Sequence, residues 1–212
     1  MSGDLPFFPL MLRLQDRRCL VVGGGEVAAA KIRGLWHHGA RVVVVSPRAV
    51  RQIQQQARAG LIVWRRRAFS ARDVEGALLV IAATSCSPVN EAVFRACRKR
   101  GVLCNAVDDP EHCDFFYPAV VRRGGLQIAI STNGSSPALA ARLRRELEEQ
   151  FGPEWVFWLQ HLGRTRRELF AKEMPTEARR QRLITMASAE AFKTFMREFN
   201  RQKSAKRGSV KA

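Results

Sequence analysis

The 212-residue chain has no apolar run approaching the roughly 20 residues that a membrane-spanning helix needs. That absence excludes a transmembrane helix. The segment Met1 to Leu14 is apolar in places, yet it has neither a basic leader nor a small-residue cleavage site, so a secretory signal is not expected. Cysteine is sparse. The five cysteines (Cys19, Cys86, Cys97, Cys104, Cys113) are odd in number and scattered, with no Cys-x-x-Cys pair. This pattern argues against a disulfide framework and a structural zinc site, and it suits a reducing cytoplasm. No internal repeat recurs at a fixed period, which argues against a solenoid.

Acidic residues are also scarce: 19 Asp and Glu face 36 Lys and Arg, for a net charge of +17. Nucleic acid is the first partner such a charge suggests, an acidic small molecule the second, and a well-solvated surface the third. The excess is spread over clusters at Arg65–Arg67, at Arg142, Arg144 and Arg145, and from Arg164 through Arg182. The end of the chain, with Lys203, Lys206, Arg207 and Lys211, reads as a basic flexible tail over 203–212.

A hydrophobic fraction of 46% is ordinary for a folded chain. In the first half, strands and helices alternate. Strands are expected at Arg18–Val22, Arg41–Val45, Leu61–Trp64, Ala77–Ala83 and Leu103–Val107. Helices are expected at Glu26–His38, Ala49–Arg58 and Pro88–Arg100, with Gly39 and Gly101 closing the first and last. That rhythm predicts an α/β fold with a parallel, doubly wound, Rossmann-like sheet. After Pro110 it changes. Phe115–Val121 and Leu126–Ser131 read as a hairpin turned at Arg122–Gly125, followed by a helix from Pro137 to about Gln150. The chain is then helical from Trp155 to about Gln202, with a break near Pro175.

Between the first strand and first helix stands Val21-Val22-Gly23-Gly24-Gly25-Glu26-Val27-Ala28, which fits G-x-G-x-x-A. Gly23 permits the sharp turn, Gly25 lets the backbone approach a pyrophosphate, and Ala28 lets helix and strand pack closely. The helix then offers unpaired N–H groups and its positive dipole end to the phosphates. The acid that ends the second strand in the usual fingerprint is missing. Ser46-Pro47-Arg48 stands there instead. Ser46 can bond a ribose hydroxyl and Arg48 can meet a 2′-phosphate, so NAD and NADP both stay open on physical grounds.

An ordered set of segments resembles the precorrin-2 dehydrogenase/sirohydrochlorin ferrochelatase family, the N-terminal part of siroheme synthase. The set comprises Leu5-Pro6 with Leu14, the glycine turn with Lys31, Ala82-Ala83-Thr84 with Asn90, Cys104-Asn105-Ala106-Val107-Asp108, Pro118-Ala119, and Gly134 through Ala140. The resemblance implies a cytoplasmic homodimer that oxidises precorrin-2 to sirohydrochlorin with NAD. Some members then insert ferrous iron to give siroheme, while uroporphyrinogen methylation falls to another protein. It implies an NAD-binding Rossmann domain over 1–112, a dimerisation segment over 113–149 and a helical, substrate-covering domain over 150–202. A tetrapyrrole ringed with carboxylates also suits the cationic chain without nucleic acid or membrane.

By the same resemblance, Gly23, Gly25, Glu26, Val27, Pro47, Arg48 and Thr84 contact the cofactor, and Asn105, Thr132, Ser135 and Ser136 meet the substrate. The loop Asn133–Ser136, set by the resemblance near the substrate or the dimer contact, equally reads as a turn and N-cap for the helix at Pro137. Asp108 is the expected catalytic residue. It falls just past the fifth strand, at the carboxyl edge where such folds bind ligands, and the family's aspartate here is the acid/base. Asp109 reads as structural. After Thr84 the chain has Ser85 and Cys86 where many relatives are acidic. His37 and His38 read as caps at a helix end; His112 and Cys113 follow the Asp108 loop, but no protein-held metal is expected. Cys86, Cys97 and Cys104 read as core, and Trp155, Phe157 and Trp158 as packing of the helical domain. The rival reading is an NADH-sensing Rossmann regulator binding DNA through its basic helices. It leaves the Asn105–Asp108 and Gly134–Ala140 segments without a purpose.

Overall fold

A computed structural model describes residues 7–208, and side chains through residue 201. It divides after Tyr117 into two compact units. In the first, β1 (Arg18–Val22), β2 (Arg41–Val45), β3 (Val63–Arg65), β4 (Leu79–Ala82) and β5 (Leu103–Ala106) form one parallel sheet in the order β3-β2-β1-β4-β5. The Rossmann-like α/β sheet expected from the alternating pattern is therefore present.

Helices on both faces explain why the central strands are apolar along their whole length rather than at alternate positions. One face of the sheet, with Cys19, Val21, Val42, Val44 and Ile81, packs under α1 (Glu26–His37) and α2 (Arg51–Arg58) through Ala28, Ala29, Ile32, Leu35 and Ile53. The opposite face, with Leu20, Val22, Val43, Val80 and Ala82, packs under α3 (Ser87–Arg98) through Val93, Ala96 and Cys97.

The strand edge at β3 is tied down electrostatically. Ser70 and Asp73 form a capping box on the 3-10 turn Ala71–Val74. The Asp73 carboxylate, 2% exposed, accepts from Arg65 at 2.9 Å and from Arg67 at 2.7 Å. Hydrogen bonding from Arg67 leads the effects that lower the Asp73 carboxyl to about 2.

The second unit starts with a hairpin of β6 (Ala119–Arg123) and β7 (Leu126–Ile130). It turns at Gly124, φ 59°, and Gly125, where added side chains would press on Val156 and Leu159. Then come α4 (Pro137–Gln150), α5 (Glu154–Phe170), α6 (Thr176–Met186) and α7 (Ala189–Gly208). Arg123 closes the end of α4 by donating to the carbonyls of Phe151 and Glu148, at 2.6 and 2.8 Å. The α5–α7 contact is aromatic: Trp155 stacks on Phe192 with ring centroids 4.8 Å apart, and Trp158, 4% exposed, meets Phe195 at 5.1 Å.

Several boundaries differ from the sequence reading. The strand expected from Phe115 begins only at Ala119. Pro118 has no N–H to donate, and the preceding residues pair elsewhere: Asp114 N–H donates to the Cys104 carbonyl, and Cys113 bridges Asn105. The last helical stretch breaks twice, at Pro175 and again at Ser188, whose hydroxyl accepts from the Ala191 N–H as a cap. The tail expected over 203–212 begins inside α7, and residues 209–212, like Leu5 and Pro6, lie outside the described residues. No helix among the described residues is long and apolar enough to cross a membrane.

Candidate cofactor and active site

Strand register decides where the functional loops emerge. Val22 pairs with Val45 on one side and with Ala82 on the other, and Ala82 pairs with Ala106. Gly23, Ser46, Ala83 and Val107 therefore leave the sheet side by side at its carboxyl edge. The strand order reverses between β1 and β4, the position at which open α/β sheets bind ligands. A crevice of about 840 Å³ opens there, lined by the glycine turn, the loop after β2, the loop after β4, and Asp108.

The three turn glycines do different work. Gly23 has φ 132°, a conformation L side chains rarely adopt, and a side chain there would strike the Ala83 carbonyl. Gly24 presses against the loop after β2: a side chain would meet the Arg48 carbonyl and lie 2.7 Å from Ser46 Oγ. The Val50 N–H donates to the Gly24 carbonyl at 2.8 Å, so the two loops are interlocked. Gly25 faces open space and caps α1 with no side-chain acceptor for the first N–H groups. Those backbone donors and the clear approach over Gly25 fit a pyrophosphate.

The other expected cofactor residues line the same crevice: Glu26, Val27, Pro47, Arg48 and Thr84. Val27 is half exposed, an apolar surface of the kind a ring stacks on. Ser46 is buried and its hydroxyl donates to the Arg48 carbonyl, leaving it only as an acceptor toward the crevice. Thr84 is committed as well. Its hydroxyl donates to Asn90 Oδ1 at 2.7 Å, and Asn90 Nδ2 returns a bond to the Thr84 carbonyl at 3.0 Å. Asn90, 6% exposed, thus braces the loop after β4. Cys86 is a correction: expected in the core, it is exposed and lines the crevice, because it precedes α3 rather than lying within its buried face.

Asp108 is exposed on the crevice wall at φ 61°, in the left-handed region. Among the described residues no hydrogen bond or ion pair holds its carboxylate, whereas those of Asp109 and Asp114 are taken. Asp109 pairs with His112 at 2.5 Å, and Asp114 accepts from the Cys104 N–H at 2.9 Å and from Arg98. Lys31, on α1, lies over the Tyr117 ring at 3.9 Å. Burial lowers its pKa, while the charge of Asp108 and then that of Cys113 push it back up. Sequence reading noted Lys31 without a task, since nothing linear joins it to Asp108.

Asn105 is 6% exposed, and its amide donates to the Phe115 carbonyl at 2.9 Å and to Cys113 Sγ at 3.3 Å. Cys113 in turn donates toward the carbonyls of Ala106 and Asp109. These contacts fasten the loop that carries Asp108. In the second unit, Thr132 Oγ1 accepts from the Ser136 N–H at 3.1 Å, and Ser136 Oγ accepts from the Leu139 N–H at 3.2 Å. Ser135 is exposed between them. The turn-and-cap role read for this loop is thus present in its hydrogen bonds. Among the described residues, no group of three or more His, Cys, Asp or Glu is placed to hold a metal ion.

The glycine turn, the interlocked loops and the open helix end are the features of a dinucleotide site. The family described as putative NAD(P)-binding matches residues 10–119, more than half of the chain. The chain belongs to this NAD(P)-binding family. Its next segment, residues 123–150, matches the sirohaem biosynthesis protein central family. This NAD(P)-binding chain is 44% identical over 144 residues to a siroheme synthase of Methylococcus capsulatus, covering 68% of the chain and 30% of that protein. A siroheme synthase of Yersinia pestis is 42% identical over the same length, with the same shares covered. The chain thus spans about 30% of the length of the siroheme synthases it matches. Among solved structures, SirC, a precorrin-2 dehydrogenase, superposes with a TM-score of 0.79 at 27% identity, over 92% of this chain and 98% of SirC.

Proposed function

We propose that the chain oxidises precorrin-2 to sirohydrochlorin with NAD. The observation that carries this reading is an unclaimed carboxylate, Asp108, in the wall of a dinucleotide crevice. The likeness to SirC over nearly its whole length and the sirohaem central segment support the substrate class.

In the oxidation, the substrate loses a hydride and a proton. Bound NAD supplies the hydride acceptor through its nicotinamide ring. Gly25 and the first turn of α1 hold the pyrophosphate, Pro47 and Arg48 the adenosine ribose, and Val27 and Thr84 the walls of the crevice. Asp108 takes the proton, because its carboxylate lines the crevice and, among the described residues, has no protein partner. Lys31 sets a positive charge close to it, and Asn105 with Cys113 holds its backbone in place. Ferrous ion insertion into the product extends the proposal: pyrrole protons must leave as the metal enters, and the same carboxylate is placed to accept them.

Residues 113–149 form the dimer contact in this reading, and the helices of 150–202 cover the macrocycle, with Thr132, Ser135 and Ser136 at the substrate edge. Five free cysteines suit a reducing cytoplasm. Anaerobic turnover of precorrin-2 with NAD, followed by the sirohydrochlorin spectrum and then by addition of ferrous ion, tests both activities. Oxidation no faster than the enzyme-free control would sink the proposal. Light scattering of the purified chain tests the dimer.

A further inference from the structure

A second cavity, of about 590 Å³, adjoins the cofactor crevice and shares Arg48 and Ala49 with it. Arg48, Arg58 and Arg66 are among its lining residues, and no carboxylate is. Among the described residues, none of these three side chains donates a hydrogen bond or joins an ion pair. That sets Arg66 apart from its neighbours. Arg65 and Arg67 both bond Asp73, whereas Arg66, on the alternate side of an extended backbone, turns to the cavity.

The wall behind the cations is fixed. The Trp64 indole N–H donates to the Ser46 carbonyl at 3.0 Å, which ties its ring to the end of β2. The Arg66 guanidinium lies over that ring, 5.9 Å from its centroid. Gln54 Nε2 donates to the Ala49 carbonyl at 2.7 Å and holds the backbone that follows Arg48.

The position matters as much as the charge. The cavity opens where β2 ends, the point at which an acid meets the ribose hydroxyls in NAD-selective folds and an arginine accommodates a 2′-phosphate in NADP-binding ones. Here the acid is missing, Ser46 Oγ is turned back onto Arg48, and unpaired guanidinium groups stand in its place. We infer that this cavity seats a phosphate on the 2′-hydroxyl of the adenosine ribose, so that the chain binds NADP at least as tightly as NAD. The inference rests on the dinucleotide reading of the crevice and adds a second accepted cofactor to it.

Calorimetric titration of the full chain with NAD and with NADP tests this without any turnover. NADP is expected to bind with an equal or lower Kd. Arg66→Ala and Arg58→Ala, both exposed and outside the NAD contacts, should together weaken NADP by roughly tenfold or more while leaving NAD within about twofold. Adenosine 2′-phosphate should displace NADP better than adenosine 5′-phosphate, and should lose that advantage in the double variant. NADP binding tenfold weaker than NAD, or equal losses for both cofactors in the double variant, would overturn the inference and leave the dehydrogenase proposal standing. Binding of neither cofactor would overturn both.

Discussion

Asp108 combines a left-handed backbone with a carboxylate that has no hydrogen bond or ion pair among the described residues. Aspartate tolerates that conformation better than most residues, but it is still uncommon away from glycine and is found where a side chain must be aimed. Asp108→Ala should lower precorrin-2 turnover by about 10²- to 10⁴-fold and leave the Kd for NAD unchanged by titration. Unchanged turnover would remove Asp108 from the mechanism. Asp73 has the opposite character, a buried carboxylate spent on the fold. Its pKa is lowered from 3.8 to about 2, chiefly by Arg67. The stability it contributes is therefore present above 3.8 and is lost as pH falls through about 2. Urea midpoints should decline across that window, and Asp73→Asn should flatten the decline while destabilising the protein by roughly 2–4 kcal/mol at neutral pH.

The glycine turn shows how one element divides its labour among neighbouring residues. Gly23 and Gly24 are needed by the protein itself, since added side chains would strike the carbonyls of Ala83 and Arg48. A side chain added at Gly25 would meet nothing within 4 Å among the described residues, which leaves the space over it open to the proposed dinucleotide. Gly23→Ala and Gly24→Ala should lower the melting temperature and weaken NAD binding together. Gly25→Ala should keep the melting temperature and still weaken NAD binding about tenfold, because its methyl enters the pyrophosphate approach. A Gly25 variant with unaltered NAD affinity would move the phosphates elsewhere. The fingerprint was readable in the sequence because strand, turn and helix are contiguous. The pressure on Gly24 was not, since Arg48 comes from a different loop.

For the whole molecule, the net charge of +17 bears on encounter with the proposed polycarboxylate substrate. Attraction over distances longer than a contact is screened by salt. The kcat/KM for precorrin-2 should fall on the order of tenfold between low salt and 0.5 M, while kcat at saturating substrate changes little. A salt-independent kcat/KM would assign the charge to other partners.

The sequence by itself determined the strand and helix alternation, the glycine turn, and the place of Asp108 just beyond a strand, because each depends on residues close together in the chain. It also offered the loop Asn133–Ser136 as a helix cap, one of its two readings there, since serine and proline at those spacings have local meanings. Tertiary structure decided what contiguity cannot express. It brought Lys31 to Asp108, set Asn90 beneath Thr84, turned Cys86 out to the crevice, and separated Arg66 from the ion pairs of Arg65 and Arg67. It moved the start of β6 past Pro118, because residues before it found partners on β5. None of these outcomes follows from residue type and spacing alone, because each depends on which way a side chain faces once strands, loops and helices have packed.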